Sequence, residues 1–550
     1  MKLIVAALFL GAQAFAAVPG LGSLVKIDSG WVAGSGAAVR VYKGIPYAAP
    51  PVGDLRWKPP QPPKSWKGIL LAKSFPAMCP QMPLIPGPQS EDCLGLNVWT
   101  PARAASDKLP VMVWIHGGGF QIGASSQSAY DGEALAEQGV VLVSINYRMG
   151  VFGFLAHPAL NQESPEGVSG NYGLLDMVAA LQWVKRNIRA FGGDPGNVTI
   201  FGESAGGTAV CLLMVMPQAE GLFQKVISES AAWMFGPISH LKESWYARVP
   251  MTEFGAKLGA DLGALRAKSV AEIMKMLPPP MSRNEAAADR GEVYMPVVDG
   301  WVLPDDPARL FSTGRFHHVA LIAGTNADEG TLLGGPPVRT LAQFHKWAEE
   351  KLGNMADKLL IMYPAAADAD AHAAAAQVSG DLVFLYGTRS VLRAASRSPK
   401  KVAGVTVSVN PNTFQYQFTR VNGVGRKIQW GAFHASEIPY VFETLPDSVY
   451  GTGPMMFGDF SVDADTYNEQ DGKLSKAMSA AWVAFARTGS PNAPGLARWP
   501  AFADKESYLE FGDQIAVKEA LHKVRLDLLG EYTDGLRSHA AGNAAGGGSR

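Results

Sequence analysis

The stretch that decides the fold is Val198-Thr199-Ile200-Phe201-Gly202-Glu203-Ser204-Ala205-Gly206-Gly207. Its first four residues form an apolar, β-rich run, and residues 205–214 are typical of a helix. Between them, residues 202–206 fit the pattern G-x-S-x-G, a sharp strand-to-helix turn that exposes a serine hydroxyl at the edge of a sheet. Small residues suit such a turn because larger side chains would collide with the strand or the helix. The pattern predicts a nucleophilic Ser204, although a structural turn with an idle serine stays open.

Further apolar runs lie on both sides of this stretch, at 111–115, 140–145, 226–228 and 319–323. They are continuous rather than alternating, which indicates strands buried on both faces of a mostly parallel sheet. Residues 173–189 carry apolar side chains at helical spacing, as expected of a crossover helix. We therefore predict an α/β class, with a mostly parallel twisted sheet flanked by helices. The irregular, helix-leaning stretches 236–316 and 331–410 are predicted to be insertions that cap the sheet.

Composition excludes several classes of function. The chain has 550 residues, 47% of them hydrophobic, and a formal net charge of −1. Such a chain can bury a large core, whereas binding to nucleic acid or to an anionic membrane needs a basic surface. Cysteine and histidine show no spacing typical of a zinc site. We expect no metal, no cofactor and no nucleic-acid partner.

The two ends of the chain differ from its middle. Residues 1–16 have a positive start, an apolar stretch and an Ala-x-Ala site, which predicts a signal peptide and a secreted or periplasmic protein. An N-terminal membrane anchor is the alternative, but the apolar stretch is short for a span and no later segment qualifies. The Gly/Ala-rich residues 539–550 are predicted to be disordered, which leaves 17–538 as one catalytic domain.

A glycine loop follows the run 111–115 and reads His116-Gly117-Gly118-Gly119-Phe120. Loops of this type present bare backbone N–H groups to a developing oxyanion, together with the N–H of the residue after the nucleophile. A merely flexible turn is the alternative reading. The loop's place upstream of the serine and after a strong strand favours an oxyanion hole formed by Gly118, Gly119 and Ala205.

A serine nucleophile needs a base and a group that orients it. When the serine lies on such an elbow, the acid and then the histidine follow it in the chain. Eight histidines follow Ser204. Of these, His434 combines a loop position with aromatic flanks, so it is the predicted base. The acid should follow the run 319–323, where Asp328 and Glu329 compete and the residues alone do not separate them.

Taken together, these motifs resemble those of the type-B carboxylesterases, the α/β-hydrolase family that includes the cholinesterases. The resemblance covers residues 44–511, nearly the whole chain. Three signatures carry it: Gly44-Ile45-Pro46-Tyr47-Ala48, Ser90-Glu91-Asp92-Cys93-Leu94-Gly95, and Phe191-Gly192-Gly193-Asp194-Pro195 leading to 202–207. It implies the α/β-hydrolase fold and a Ser-Glu-His triad that needs no cofactor.

The resemblance also assigns roles to residues. It selects Glu329 over Asp328 as the triad acid and agrees with His434 as the base. Glu203 and Glu437 match buried glutamates near the family's histidine, and Ser230 matches the serine that supports the acid. A family disulfide matches Cys79 and Cys93, and a family salt bridge matches Arg56 and Glu91.

Departures from the family pattern bear on the substrate. The loop between Cys79 and Cys93 has no tryptophan, whereas cholinesterases have a cation-binding one there. After the acid this chain has Leu332 and Leu333 where cholinesterases have aromatic residues. Because quaternary ammonium recognition depends on aromatic faces, a choline ester is not the expected substrate. Leu332, Leu333 and Trp233 instead indicate an apolar substrate pocket, with ordinary core packing as the alternative.

The sequence therefore predicts a secreted serine carboxylesterase that hydrolyses small apolar or moderately bulky esters through an acyl-enzyme intermediate. One alternative is a specialist detoxifying esterase or an amidase that uses the same triad. The other is a catalytically inactive binding protein of the same family, which intact triad positions disfavour.

Overall fold

A ten-stranded mixed sheet forms the centre of the protein. The computed structural model describes residues 24–244, 248–277, 291–331, 338–397, 400–402, 405–407, 412–445, 454–455, 458–459, 466–503 and 505–546. The strands of this sheet are β1 (Arg40–Pro46), β2 (Gly95–Thr100), β3 (Leu109–Ile115), β4 (Val141–Ile145), β5 (Gly193–Glu203), β6 (Lys225–Glu229), β7 (Ala320–Asn326), β8 (Thr413–Phe418), β9 (Ser507–Phe511) and β10 (Ile515–Glu519). Their spatial order is β10-β9-β8-β7-β6-β5-β3-β4-β2-β1.

Strands β3 to β9 pair with one another in parallel, whereas the antiparallel pairs lie at the two edges of the sheet. This confirms the predicted mostly parallel sheet. The apolar runs are continuous because both faces of the sheet are covered. In β3, for example, Val111 and Val113 pack into one core layer, and Met112 and Trp114 into the other.

Four helices matter for the site: α1 (Tyr172–Asn187), α2 (Ala205–Val215), α3 (Glu469–Thr488) and α4 (Lys523–Gly546). Helices α1 and α2 confirm the helices predicted at 173–189 and 205–214. Helix α3 begins at a capping box of Asn468 and Asp471 and ends at Gly489, whose φ of +79° gives the left-handed C-cap. Its Trp482 packs on the sheet face opposite to α1 and α2.

The remaining elements are shorter. The other α-helices are Glu133–Glu137, Gly150–Phe154, Pro158–Glu163, Met251–Ala256, Leu262–Ala267, Val270–Met276, Pro307–Ser312, Leu341–Leu352, Ala356–Leu360, Asp368–Gly380, Tyr386–Ser396, Gly423–Lys427 and Ile438–Val441. A π-helical segment spans Asp381–Leu385. Small sheets pair Leu24–Ile27, Gly30–Ala33 and Ile69–Leu71, then Lys400–Val402 with Val405–Val407, and Pro454–Met455 with Gly458–Asp459. Where it is described, the predicted insertion 331–410 is largely helical, whereas in 236–316 short helices alternate with irregular segments.

Of the predictions made for the two ends of the chain, the structure bears only on the C-terminal one. The predicted signal peptide, residues 1–16, lies outside the described residues. The backbone is helical over 539–546, where the sequence predicts disorder. Alanine has the highest helix propensity, so the alanines of this stretch can continue α4 although they have little apolar surface to bury. Among the described residues, no helix has both the length and the apolar character needed to cross a membrane.

One disulfide bond and one salt bridge stabilise the N-terminal part of the domain. Cys79 and Cys93 form a disulfide across 14 residues of sequence. The Arg56 guanidinium donates two hydrogen bonds to the Glu91 carboxylate, at 2.7 and 2.6 Å. Both links agree with what the family resemblance implies. The remaining thiol, Cys211, is buried.

Removing the disulfide tests its contribution to stability. Because the bond closes a loop of 14 residues, the double variant C79A/C93A should lose about 3 kcal/mol of free energy of unfolding. Urea denaturation measures this loss. Dithiothreitol should destabilise the wild-type protein by a similar amount and leave the double variant unaffected. Equal stability of the two proteins without reductant would contradict the prediction.

Candidate active site

Ser204 occupies a strained turn between β5 and α2. Its φ of 57° and ψ of −120° lie in a region that side-chain-bearing residues rarely adopt. The turn is held because the Ser204 N–H donates to the Glu229 carbonyl at 2.9 Å. A Cβ on Gly206 would lie 2.0 Å from the Ile115 carbonyl oxygen, and one on Gly207 would lie 2.3 Å from that of Glu229. Glycine at these positions therefore lets the elbow fit between the ends of β3 and β6.

The glycine loop after β3 lies directly against this elbow. A Cβ on Gly117 would lie 2.7 Å from Glu203 Oε2 and 3.2 Å from the Ser204 Cβ. Gly118 and Gly119 have φ values of +105° and +63°, which glycine adopts without strain. Within the part of the chain that the structure describes, the N–H groups of Gly118, Gly119 and Ala205 donate to no protein acceptor. The three predicted oxyanion donors are thus available to a substrate oxygen.

The His434 imidazole is held by Glu329. The distance from His434 Nδ1 to Glu329 Oε2 is 2.6 Å, and both side chains are buried. Glu329 Oε1 accepts two further hydrogen bonds, from the Ser230 hydroxyl at 2.5 Å and from the Asn326 N–H at 2.7 Å. Three donors therefore fix the orientation of this carboxyl group. The predicted acid, base and supporting serine therefore lie together.

Asp328, the competing carboxylate, faces away from the imidazole. Its Oδ2 accepts the Ala432 N–H at 2.8 Å, and its own N–H donates to the Ala432 carbonyl. It therefore anchors the loop that carries His434. On the other side of Glu329, a Cβ on Gly330 would lie 1.8 Å from the Ala376 carbonyl oxygen. The turn that holds the predicted acid thus packs against the second of the two predicted insertions, residues 331–410.

Two further glutamates lie close to the histidine. Glu203 Oε1 lies 3.1 Å from His434 Nε2, and Glu437 Oε2 accepts a hydrogen bond from the Asn326 side chain at 2.5 Å. Burial by itself lowers the pKa of His434, but the Glu203 and Glu329 carboxylates outweigh it and raise this pKa to about 9. Burial, with the charge of Glu329 added, raises the pKa of Glu437 to about 7. The predicted supporting glutamates therefore influence the charge of the base.

The predicted substrate pocket is only partly described. Trp233 is half-buried and donates its backbone N–H to the Val383 carbonyl at 2.8 Å. Leu332 and Leu333 lie outside the described residues. Sequence reasoning missed Phe384, a buried residue of the π-helical segment whose ring centroid is 4.5 Å from that of His434. π-Helical turns are frequent at functional sites, but no motif in the sequence marks this one.

Sequence reasoning also missed Glu229. This residue ends β6, is fully buried, and accepts a hydrogen bond from the Trp482 Nε1–H at 2.8 Å. The signal that could have found it is a carboxylate at the end of an otherwise apolar buried strand, because charges are rarely buried without a partner. Among the described residues, no group of three or more His, Cys, Asp and Glu side chains is arranged to hold a metal ion.

Comparison with known proteins agrees with this geometry. Residues 22–529 match the family model described as "Carboxylesterase family". The chain is 42% identical over 505 residues to the fumonisin B1 esterase of Sphingopyxis macrogoltabida, covering 90% of this chain and 87% of that protein. It is 36% identical to the para-nitrobenzyl esterase of Bacillus subtilis, covering 85% and 90%.

Solved structures show the same likeness. A PNB esterase structure superimposes with a TM-score of 0.73 at 32% identity, covering 92% of this chain and 99% of that one. A carboxylesterase of Geobacillus stearothermophilus gives 0.74 at 31% identity with the same coverage. The chain thus belongs to the carboxylesterase family, has the α/β-hydrolase fold, and is a carboxylic ester hydrolase.

Proposed function

We propose that the protein hydrolyses apolar or moderately bulky carboxylic esters with Ser204 as nucleophile, His434 as base and Glu329 as acid. The observation that carries this proposal is the position of the imidazole. Its Nδ1 is held by Glu329 at 2.6 Å, and its Nε2 lies 3.1 Å from Glu203, the residue that precedes Ser204 on the elbow. The second ring nitrogen thus faces the elbow that carries the serine.

The reaction proceeds in two steps. The Ser204 hydroxyl attacks the ester carbonyl while His434 accepts its proton, and the N–H groups of Gly118, Gly119 and Ala205 stabilise the oxyanion. His434 then protonates the leaving alcohol, which leaves an acyl-enzyme. Water, activated by the same imidazole, releases the acid. Glu329 fixes the tautomer of the imidazole and stabilises the imidazolium that forms in each step.

Export of the protein is part of this proposal. Residues 1–16 have the composition of a signal peptide. The Cys79–Cys93 disulfide supports export, since such bonds persist in oxidising compartments. We therefore place the enzyme outside the cytoplasm, in the periplasm or the medium.

A second candidate is a specialist detoxifying esterase on the same triad. What favours it is the 42% identity, over 90% of this chain, to a protein named fumonisin B1 esterase. The two candidates share their chemistry and differ in the substrate that the pocket admits.

Loss of the nucleophile tests the mechanism. S204A should reduce kcat for p-nitrophenyl butyrate by at least about 10⁴-fold, because the acyl-enzyme cannot form. The matched control is S74A, at an exposed serine outside the site, which should retain wild-type activity. A fluorophosphonate probe should add its mass to the wild-type protein and to S74A, but not to S204A. Near wild-type turnover by S204A would contradict the assignment, and an inert wild-type protein would indicate a binding protein.

The raised pKa of His434 predicts the pH dependence. The base must be neutral to accept a proton, and its pKa is raised from 6.5 to about 9. The acid limb of the profile of kcat/KM against pH should therefore lie above pH 6.5, with activity still rising at alkaline pH. E203Q removes the charge beside Nε2 and should lower this midpoint by about one pH unit.

The control for E203Q is E349Q, which alters an exposed glutamate on the helix Leu341–Leu352 and should leave the profile unchanged. A wild-type midpoint at or below pH 6.5, or an E203Q profile that coincides with the wild-type one, would contradict the proposed electrostatic role of Glu203.

A substrate panel separates the two candidates. Acetylcholine and its neutral isostere 3,3-dimethylbutyl acetate differ in charge alone, and we expect kcat/KM for the choline ester to be no greater. A preference for acetylcholine of about tenfold, the size of a cation–π contribution, would contradict the apolar pocket. The panel also contains p-nitrophenyl esters of rising chain length, a p-nitroanilide and fumonisin B1. A kcat/KM for fumonisin B1 above those of all the simple esters would favour the specialist esterase.

A further inference from the structure

Glu229 is a fourth buried glutamate behind the catalytic histidine. It lies opposite Glu203 in the parallel pairing of β6 with β5. Side chains of paired residues on neighbouring strands point to the same face, about 5 Å apart. Glu229 is also connected to two groups of the proposed site. Its carbonyl accepts a hydrogen bond from the Ser204 N–H, and the next residue, Ser230, donates a hydrogen bond to Glu329. Its position is therefore tied to both the nucleophile and the acid.

The carboxyl groups of this cluster have too few donors to be ionised together. Within the described residues, Glu229 Oε2 and Glu437 Oε1 are buried and make no hydrogen bond, and Glu203 Oε1 has the His434 imidazole at 3.1 Å as its contact. No lysine or arginine in that part of the chain forms an ion pair with any of the three. His434 supplies one positive charge at most, and Glu329 already binds it. Buried carboxylates without partners are costly, so they take up protons instead.

The groups that face Glu229 come from four elements. Glu203 is on β5, Tyr416 on β8 and Trp482 on α3, and Glu437 immediately precedes the helix Ile438–Val441. Among the described residues, Trp482 supplies the one hydrogen bond to the Glu229 carboxyl group, whereas three donors bind the Glu329 carboxyl group. The buried Tyr416 hydroxyl makes no hydrogen bond among the described residues. The Glu229 carboxyl group therefore has fewer hydrogen-bond donors than the Glu329 carboxyl group.

We propose that Glu229 is a positioning residue of the esterase site that acts as a neutral carboxyl, sharing its proton with Glu203 and Glu437 behind His434. One proton on Oε2 supplies the donor that the unpaired oxygens lack and removes one negative charge from the cluster. Burial, with the charges of Glu437 and Glu203 added and the Trp482 hydrogen bond opposing, raises the pKa of Glu229 well above its ordinary value. This is the direction that the proposal requires.

The consequence for catalysis rests on the proposed function. Each additional anion near the imidazole stabilises its protonated form, which cannot act as a base. A proton on Glu229 lowers the negative charge around Glu437 and Glu203, two of the glutamates that act on His434, while the Glu229 carbonyl holds the Ser204 N–H. The proton stays within the cluster throughout the reaction, so no bond to the substrate is made or broken by Glu229.

Infrared spectroscopy of the whole protein tests the protonation directly. A protonated carboxyl has a C=O stretching band separate from that of a carboxylate and sensitive to exchange into D₂O. The wild-type protein at neutral pH should show this band, and E229Q should lose part of it. The control E349Q alters an exposed glutamate and should keep the band. Absence of the band from the wild-type protein, or a band undiminished in E229Q, would overturn the proposal.

Kinetics test the positioning role. Glutamine keeps an acceptor for Trp482 and supplies an N–H donor, whereas leucine supplies neither. E229L should lose about tenfold more kcat than E229Q, with little change in KM, because it leaves buried polar partners unsatisfied. Equal losses in the two variants would overturn the positioning role. If E229L does not fold, the infrared comparison of E229Q still decides the protonation. That comparison needs no turnover, so it remains readable even if the proposed esterase activity fails.

Discussion

The hydrogen bond between His434 Nδ1 and Glu329 Oε2, at 2.6 Å, is the interaction on which the rest of the site depends. It can form because the Glu329 carboxyl group is held in place inside the protein, where the Ser230 hydroxyl and the Asn326 N–H donate hydrogen bonds to its other oxygen. Ser230 follows β6, and Asn326 ends β7. The pairing of these two strands must therefore be in register for the acid to be held, which ties the chemistry of the site to the central sheet.

Much of this arrangement could be predicted because it follows from local steric rules. The elbow needs positions without a Cβ where β3 and β6 approach, and the glycines at 206 and 207 meet that need. The strands could be recognised because residues on both faces are buried, which leaves continuous apolar runs. In each case a few neighbouring residues carry the signal, so the elbow and the strands could be predicted from the sequence alone.

Other features depend on contacts between distant segments. Asp328 and Glu329 are adjacent carboxylates, and what separates them is that Ala432 binds the first while His434 binds the second. From the sequence, this distinction came only from the family resemblance. Phe384 illustrates the same limit, since an apolar residue within a helical insertion gives no sign that its ring will pack on His434. Glu229 is different, because a carboxylate that ends a buried strand is a visible anomaly.

The chemistry of the site can be predicted from the sequence more readily than its substrate preference, because the residues concerned come from different parts of the fold. The proposed nucleophile, acid and oxyanion donors come from the ends of β3, β5 and β7, which the fold positions closely. The second predicted insertion, 331–410, also contacts the site, because Phe384 packs on the His434 imidazole and the Val383 carbonyl binds Trp233, a predicted pocket residue. Because Phe384 packs on the proposed base, a substrate that shifts Phe384 should also change how His434 is held. We therefore expect substrate preference and turnover to be coupled, so that a bulkier acyl group that displaces Phe384 alters kcat as well as KM.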